Sequence, residues 1–462
     1  MKLPASPPIS AEWAKFPPQR LKVILPLIGE LAKKDRYLHW DELRRRPPPH
    51  SLTAEEWWFA LKQGRSTSLR LLPLTDKTGI NFCFSVPDQI SAQLHEIDRG
   101  LGFIAGLPDA VTKPDVRDSY IASTLIQESI TSSQLEGAAT TRGIAKEMIR
   151  TGRPPRDKSE RMILNNYHTM QRIRVLRNQP LTPELVLEIH SLVTADTLDH
   201  NDAAGRLRRG EENIRVEDHE GTVFHVPPPA SELEDRLKAM GEFANGATPD
   251  FFVHPVVRAI ILHFWLAYDH PFVDGNGRTA RALFYWAMLR QKYQLFEFIS
   301  ISQILLRAPV RYARAFLYTE TDGLDLTYFI LHQVDVIREA VEALHDYVRL
   351  KTAELRAAET FLRGMTGLNH RQQTLLANAL REPRARYVIE GHRRSHGVAF
   401  QTARDDLFDL VERGLLTVRK EGRSNAFYPQ KDLNDRLSAA AEARDDAGSD
   451  STVPFDFQSS RD

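Results

Sequence analysis

One cysteine, Cys83, stands alone among 462 residues. A lone thiol closes no internal disulfide and completes no thiolate metal site, which fits a reducing compartment. It reads as a small buried hydrophobe. Charge of either sign is not in excess either, with Lys plus Arg at 61 and Asp plus Glu at 61. No global field marks nucleic acid or membrane as the partner. Apolar runs of the ~18–20 residues that a membrane helix needs are missing. The opening MKLPASPPIS has no apolar core of a signal peptide. The expectation is a cytoplasmic protein with no membrane contact. Long internal repeats are absent too.

What remains is an ordinary globular composition, 42% hydrophobic, on a chain long enough for two or three domains. Residues 1–110 hold no polar constellation that reads as a site, and are taken as an N-terminal accessory domain. Within them, 18–34 is helical, and SLTAEEWWFALK (51–62) opens a helix with Ser51 or Thr53 as N-cap. From about 115 to 350 the periodicity is mostly helical. A strand-like stretch, 214–226, turns at DHEG (218–221) and stops at Pro227–Pro229. VHPVVRAIILHFWLAYDH (253–270) is apolar almost throughout and reads as the central buried helix. Residues 369–381, 385–394 and 399–416 predict three more helices, followed by a hairpin turning at 421–423. The tail from 436 is expected to be disordered.

Chemistry concentrates in HPFVDGNGRTAR (270–281). Gly275 and Gly277 flank Asn276 just before the helical pattern RALFYWAML. Such a turn gathers backbone N–H groups at a helix N-terminus and makes an anion site. Glycine there lets phosphates approach closely. Arg278 and Arg281, three apart, share a helix face and suit a polyphosphate. Asp274 beside this nest can hold Mg²⁺. His270, ending the buried helix, can accept a proton from a hydroxyl as a general base.

This stretch resembles the signature of the Fic family, H-x-F-x-[DE]-G-N-G-R-x-x-R, at every fixed position. The resemblance implies a mainly α fold: a Fic-type helical core, residues 111–352, with a β-hairpin flap. It implies AMP transfer from ATP to a hydroxyl of a target protein, which could be the chain itself. On that reading His270 is the base and Phe272 anchors the loop. Asp274 binds Mg²⁺, and Gly275, Asn276 and Gly277 hold the α- and β-phosphates. Arg278 assists at the β-phosphate and Arg281 meets the γ-phosphate.

Upstream, SSQLEGAATT (132–141) follows a helical run. Ser132 and Glu136 are four apart on one face, and Gly137 suits a helix C-terminus. The plain reading is a capped helix end. The stretch also resembles the family's inhibitory motif, [ST]-x-x-x-E-[GN], with Ser132, Glu136 and Gly137 at its fixed positions. It implies that Glu136 occupies Arg281. Glu136 is then a brake, the base of a deAMPylase, or both.

GRLR (205–208) and FHVPPP (224–229) resemble the segments on either side of the family's flap, whose edge would align a target peptide. Residues 353–435 resemble a winged helix-turn-helix domain. There Arg384, Arg386, Arg393, Arg394, Arg419, Lys420 and Arg423 are candidates for DNA phosphates, and Gln401, Thr402 and Arg404 for base edges. Asp405, Asp406, Asp409 and Glu412 on the same helix oppose that. Such domains also bind proteins or form homodimers, and a DNA-binding regulator with a nucleotide-sensing core is the alternative from another class.

Overall fold

The computed structural model describes residues 2–8, 16–34, 36–103, 114–218, 220–364, 367–383, 385–421, 424–433 and 435–437. It is mainly helical, and the chain forms two compact units: residues 1–106 with 119–343, and 107–118 with 344–462. The first elements are α1 (Pro18–Ile24), α2 (Ile28–Lys34), α3 (Trp40–Leu43), α4 (Ala54–Ser66), β1 (Arg70–Thr75), β2 (Asn81–Phe84) and α5 (Asp88–Phe103). Next come α6 (Pro114–Leu135), α7 (Arg142–Thr151), α8 (Lys158–Leu176), α9 (Pro183–Thr194), β3 (Val216–Glu217), β4 (Val223–His225) and α10 (Leu233–Asn245). They lead to α11 (Pro255–Asp269), α12 (Asn276–Arg290), α13 (Ile301–Arg307), α14 (Pro309–Thr321) and α15 (Thr327–Gly364). The remainder is α16 (His370–Arg381), β5 (Tyr387–Val388), α17 (Ile389–His396), α18 (Phe400–Glu412), β6 (Leu416–Glu421) and β7 (Ser424–Pro429). No helix among the described residues is long and apolar enough to cross a membrane.

The larger unit is built around α11 and α12, which pack along each other. Trp265, Phe264, Phe284 and Trp286 from this pair are fully buried. Each polar residue that interrupts α11 finds at least one partner, although His263 Nδ1 has none among the described residues. Arg258 lies 4.7 Å above the Phe243 ring, His263 meets the Tyr312 hydroxyl at 2.8 Å, and Asp269 pairs with Arg236 at 3.1 Å. Thr53 is the N-cap of α4: its hydroxyl accepts from Glu56 N–H while Glu56 reaches back to Thr53 N–H. The β1–β2 hairpin was not foreseen. Its signal was present in DKTG (76–79), where Asp76 accepts from the Thr78 and Ile80 N–H groups.

Residues 1–106 share the compact unit of the central helices, held by polar contacts. Tyr37 donates to Asp325, Lys62 pairs with Asp322, and Arg65 donates to the Tyr328 hydroxyl. Arg236 donates to the carbonyls of Thr75 and Asp76.

In the smaller unit, α16, α17 and α18 accompany an antiparallel sheet of order β5-β7-β6. Leu376, Leu407, Leu410, Leu416 and Phe427 form its core. β6 and β7 flank the turn expected at 421–423 and pair as a hairpin; β5 is an added third strand. The turn residues 422–423, Arg384 and the tail 438–462 lie outside the described residues.

Candidate active site

His270 closes α11. Its backbone is left-handed, φ 45° and ψ 56°, an uncommon state for a residue with a side chain. Its N–H donates to Leu266 O, and its Nδ1 lies 3.2 Å from Ala267 O. A carbonyl only accepts, so Nδ1 carries the proton and Nε2 keeps a lone pair. Burial pushes the ring's pKa down to about 4, so it is neutral near pH 7. Arg208 fixes the strained turn. Its Nε donates to His270 O at 2.9 Å, its backbone N–H to Pro271 O, and a terminal nitrogen to Pro228 O.

The loop after His270 is stapled from inside. Asn276 Oδ1 accepts from Phe272 N–H at 3.0 Å, and its Nδ2 donates to Phe272 O at 2.9 Å. The Asn276 side chain therefore serves the loop, and only its backbone N–H is left for an anion. Phe272 stacks on His190, with ring centroids 3.6 Å apart. His190, which sequence reasoning missed, takes Gly205 N–H on Nδ1 and donates from Nε2 to Asp274 O. Burial lowers its pKa to about 4 as well, keeping that tautomer neutral. Nothing in the spacing of His190 announced it.

Gly275 is the N-cap of α12, at φ 82°. A Cβ there would sit 2.5 Å from Thr194 Cγ2, so both backbone and space demand glycine. The first N–H groups of α12 have no partner within the helix, as at any N-terminus. Arg278 is fully buried. It donates to Val193 O, while Nε and one terminal nitrogen have no hydrogen-bond partner, and Asp274 is 3.6 Å away. Two such guanidinium nitrogens beside free helix N–H groups form an arrangement that an oxyanion completes. Asp274 is half exposed, and among the described residues no cluster of His, Cys, Asp and Glu could hold a metal by itself. One open carboxylate fits Mg²⁺, which prefers to keep water and phosphate oxygens as its other ligands.

Arg281, 2% exposed, points at α6. Its Nε donates to Ser132 Oγ at 2.8 Å, and one terminal nitrogen bonds both Ser132 O and Glu136 Oε1 at 2.9 Å. Burial pulls the guanidinium down and Glu136 pulls it up; the net direction is up. Gly277 makes this approach possible, because a Cβ there would lie 2.2 Å from Glu136 Oε1. One turn further along α12, the Tyr285 hydroxyl donates to Glu128 on α6 at 3.0 Å. Glu128 is buried and also accepts from Ser300 Oγ, Ser302 N–H and Ser302 Oγ. Thus α6 and α12 are joined by two polar rungs, Glu136 with Ser132 to Arg281, and Glu128 to Tyr285. Gly137 takes φ 90° just beyond α6.

A cavity of about 300 Å³ opens between these groups. Glu136, His270, Gly277 and Arg281 line it, together with Val216, Phe224, Tyr312, Phe316 and Leu317. Val216 and Phe224 belong to the β3–β4 hairpin, which pairs Val216 with His225.

Helix, stapled loop, helix start and hairpin fall in one stretch: residues 180–288 match the model of the Fic/DOC family. The curated relatives include a protein adenylyltransferase Fic of Nematostella vectensis, 34% identical over 116 residues, 25% of this chain and 25% of that protein. Another, from Culex quinquefasciatus, is 34% identical over 119 residues, 26% and 22% of the respective chains. The chain spans about a quarter of the length of the curated relatives it matches. Among solved structures, a Fic family protein from Desulfovibrio desulfuricans G20 has the same kind of fold. Its TM-score is 0.51 at 18% identity, over 75% of this chain and 97% of that one.

Proposed function

We propose that this chain transfers AMP from ATP to a hydroxyl side chain of a protein, and that Glu136 restrains the transfer. The observation that carries the proposal is the convergence on one cavity of a neutral His270 with Nε2 unprotonated, Gly277 at the α12 N-terminus and the buried Arg281. The names of the curated relatives point the same way.

Nε2 of His270 takes the proton as the hydroxyl oxygen bonds to the α-phosphorus. The bond from that phosphorus to the bridging oxygen breaks, and pyrophosphate leaves. Positioning and charge neutralisation supply most of the acceleration in such transfers. Gly275 and Gly277 let the phosphates reach the α12 N–H groups, and Arg278 meets the β-phosphate. Arg281 is assigned to the γ-phosphate, which requires Glu136 to leave it. Asp274 would hold Mg²⁺, which when bound neutralises phosphate charge. The β3–β4 edge would align the target's backbone.

Glu136 is about one quarter exposed and lines the His270 cavity. That supports a second reading, in which it orients a water that removes AMP from a modified protein. For the smaller unit we propose a winged helix in which three of the candidate phosphate-binding arginines are paired within the fold. Arg386 pairs with Glu421, Arg393 and Arg394 pair with Glu390, and Asp406 is buried against Arg371 and His392.

The test uses α-labelled ATP, CTP, GTP and UTP with the parent, Glu136→Gly and His270→Ala proteins. Label from ATP should rise in Glu136→Gly and vanish in His270→Ala, which still binds nucleotide. A parent protein that equals Glu136→Gly removes the restraint. No labelling by any variant removes the transfer.

A further inference from the structure

Arg208 stands where the chain enters the segment that carries β3 and β4, and Pro228 where it leaves. The Arg208 side chain is buried, and its guanidinium is spent on carbonyls. Nε donates to His270 O at 2.9 Å, and a terminal nitrogen donates to Pro228 O. The Arg208 backbone N–H donates to Pro271 O at 2.9 Å. One residue thus closes the neck of the hairpin and holds both carbonyls of the turn after α11. We infer that Arg208 is a positioning residue that locks the neck of the hairpin to the backbone of His270, so that hairpin and base are set as one piece. The inference rests on the transfer proposed above and deepens it by naming what aims its base.

His270 needs such a lock. At φ 45° it lies in the left-handed region, and it precedes Pro271, whose ring favours extended backbone at the residue before it. The relaxed alternative for His270 is therefore extended. A move towards it would turn the peptide between His270 and Pro271 and carry the imidazole with it. The ψ angle of His270 sets where its carbonyl points, and the bond from Nε holds that carbonyl. Among the described residues, only Arg208 bonds the carbonyls of His270 and Pro271. Strain of this kind persists only where the surroundings over-determine it.

The hairpin end of the lock is as stiff as the turn end. Pro227, Pro228 and Pro229 fix three successive φ angles, so a shift of β4 reaches Pro228 O with little slack. The hairpin has another tie, with His225 Nε2 2.7 Å from Tyr268 O on α11 and Nδ1 2.8 Å from Glu320 Oε2 on α14. That tie ends on the two helices, whereas Arg208 reaches past α11 into the turn itself. Val216 and Phe224 of the hairpin share the cavity with His270. Any slip between neck and turn would therefore change the distance from Nε2 to a hydroxyl that the hairpin presents. The place demands a guanidinium. Its planar fork serves two acceptors from two nitrogens, and the single nitrogen of lysine can stand at only one of those positions.

The experiment uses the full-length Glu136→Gly protein. Arg208→Lys should lower the rate of protein labelling at saturating ATP by about tenfold to a hundredfold, the cost of a misplacement near 1 Å. The KM for ATP should stay the same, because the phosphates are assigned to the start of α12. Pyrophosphate release without added protein, where water takes the place of the hydroxyl and free AMP results, should fall by a similar factor. Release at the undiminished rate overturns the proposal, since Arg208 would then serve the hairpin alone. Pro228→Gly loosens the neck and leaves Arg208 and the turn untouched. It should lower pyrophosphate release by about threefold, and no further in Arg208→Lys, since coupled sites are not additive. Effects of Pro228→Gly that are equal in both backgrounds overturn the lock.

A second arm does not depend on activity. In hydrogen exchange, Arg208→Lys should speed the amides of 223–233 and of 266–276 together. Faster exchange in one stretch alone, or in neither, overturns the lock. If the Glu136→Gly protein labels nothing and releases no pyrophosphate, adenylyl transfer fails as a reading, and the exchange data alone decide the lock.

Discussion

At the scale of the residue, Asn276 has the most to lose. Its side chain closes both hydrogen bonds of the buried Phe272 backbone. Asn276→Ala leaves an N–H and a carbonyl unsatisfied, and should cost about 3 kcal/mol in denaturant unfolding. Asn276→Asp keeps the acceptor but sets a carboxylate against Phe272 O, so it should be no milder despite its shape. Much of the candidate site was legible at this scale: His270, Asp274, Gly275, Gly277, Arg278 and Arg281 are neighbours in sequence, and Gly275 has no room for a Cβ. His190 was not legible. It lies 80 residues before His270 on another helix, and its role follows from a ring stack and two backbone bonds that leave no local pattern. His225 was hidden for a similar reason, since its partners sit on α11 and α14.

At the scale of the element, the unit that matters is the pair α6–α12. Ser132 and Glu136 were readable as one helical face, but Glu128 passed for one more polar residue in a helical run. Its partners are the α12 hydroxyl of Tyr285 and the start of α13. On the proposed restraint, α6 must be held as well as aimed, and Glu128 ties it to α12 and the start of α13. Glu128→Ala strips the acceptor from four buried donors and should lower stability by about 2–4 kcal/mol in denaturant titration. It should also raise AMP transfer by the parent protein while leaving the Glu136→Gly protein no faster. A fall in transfer in both backgrounds would mean that Glu128 is only structural. The β1–β2 hairpin shows what sequence pattern misses among elements. RLLPLT does not alternate, contains proline and sits in a stretch without motifs, so only its Asp76 turn could have given it away.

At the scale of the whole molecule, net charge is level but protonation is not. Burial holds His39, His190, His270 and His332 near a pKa of about 4 and His263 near about 3, against an ordinary 6.5. Between about pH 6.5 and 4 the unfolded chain binds these protons and the folded chain refuses them, so stability rises with pH across that window and is lost on acidification. Calorimetry should find Tm lower at pH 5 than at pH 7, and His332→Gln should soften the drop. Arg236 carries a consequence of another sort. This one side chain grips the carbonyls of Thr75 and Asp76 and the carboxylate of Asp269, the residue before His270. Whoever trims the chain to its motif-bearing stretch, beginning near residue 115 or 180, cuts away two of those three anchors. The shortened protein would keep every residue of the signature and still lose the floor beneath His270, so the smallest working piece of this chain is set by a tether and not by a motif.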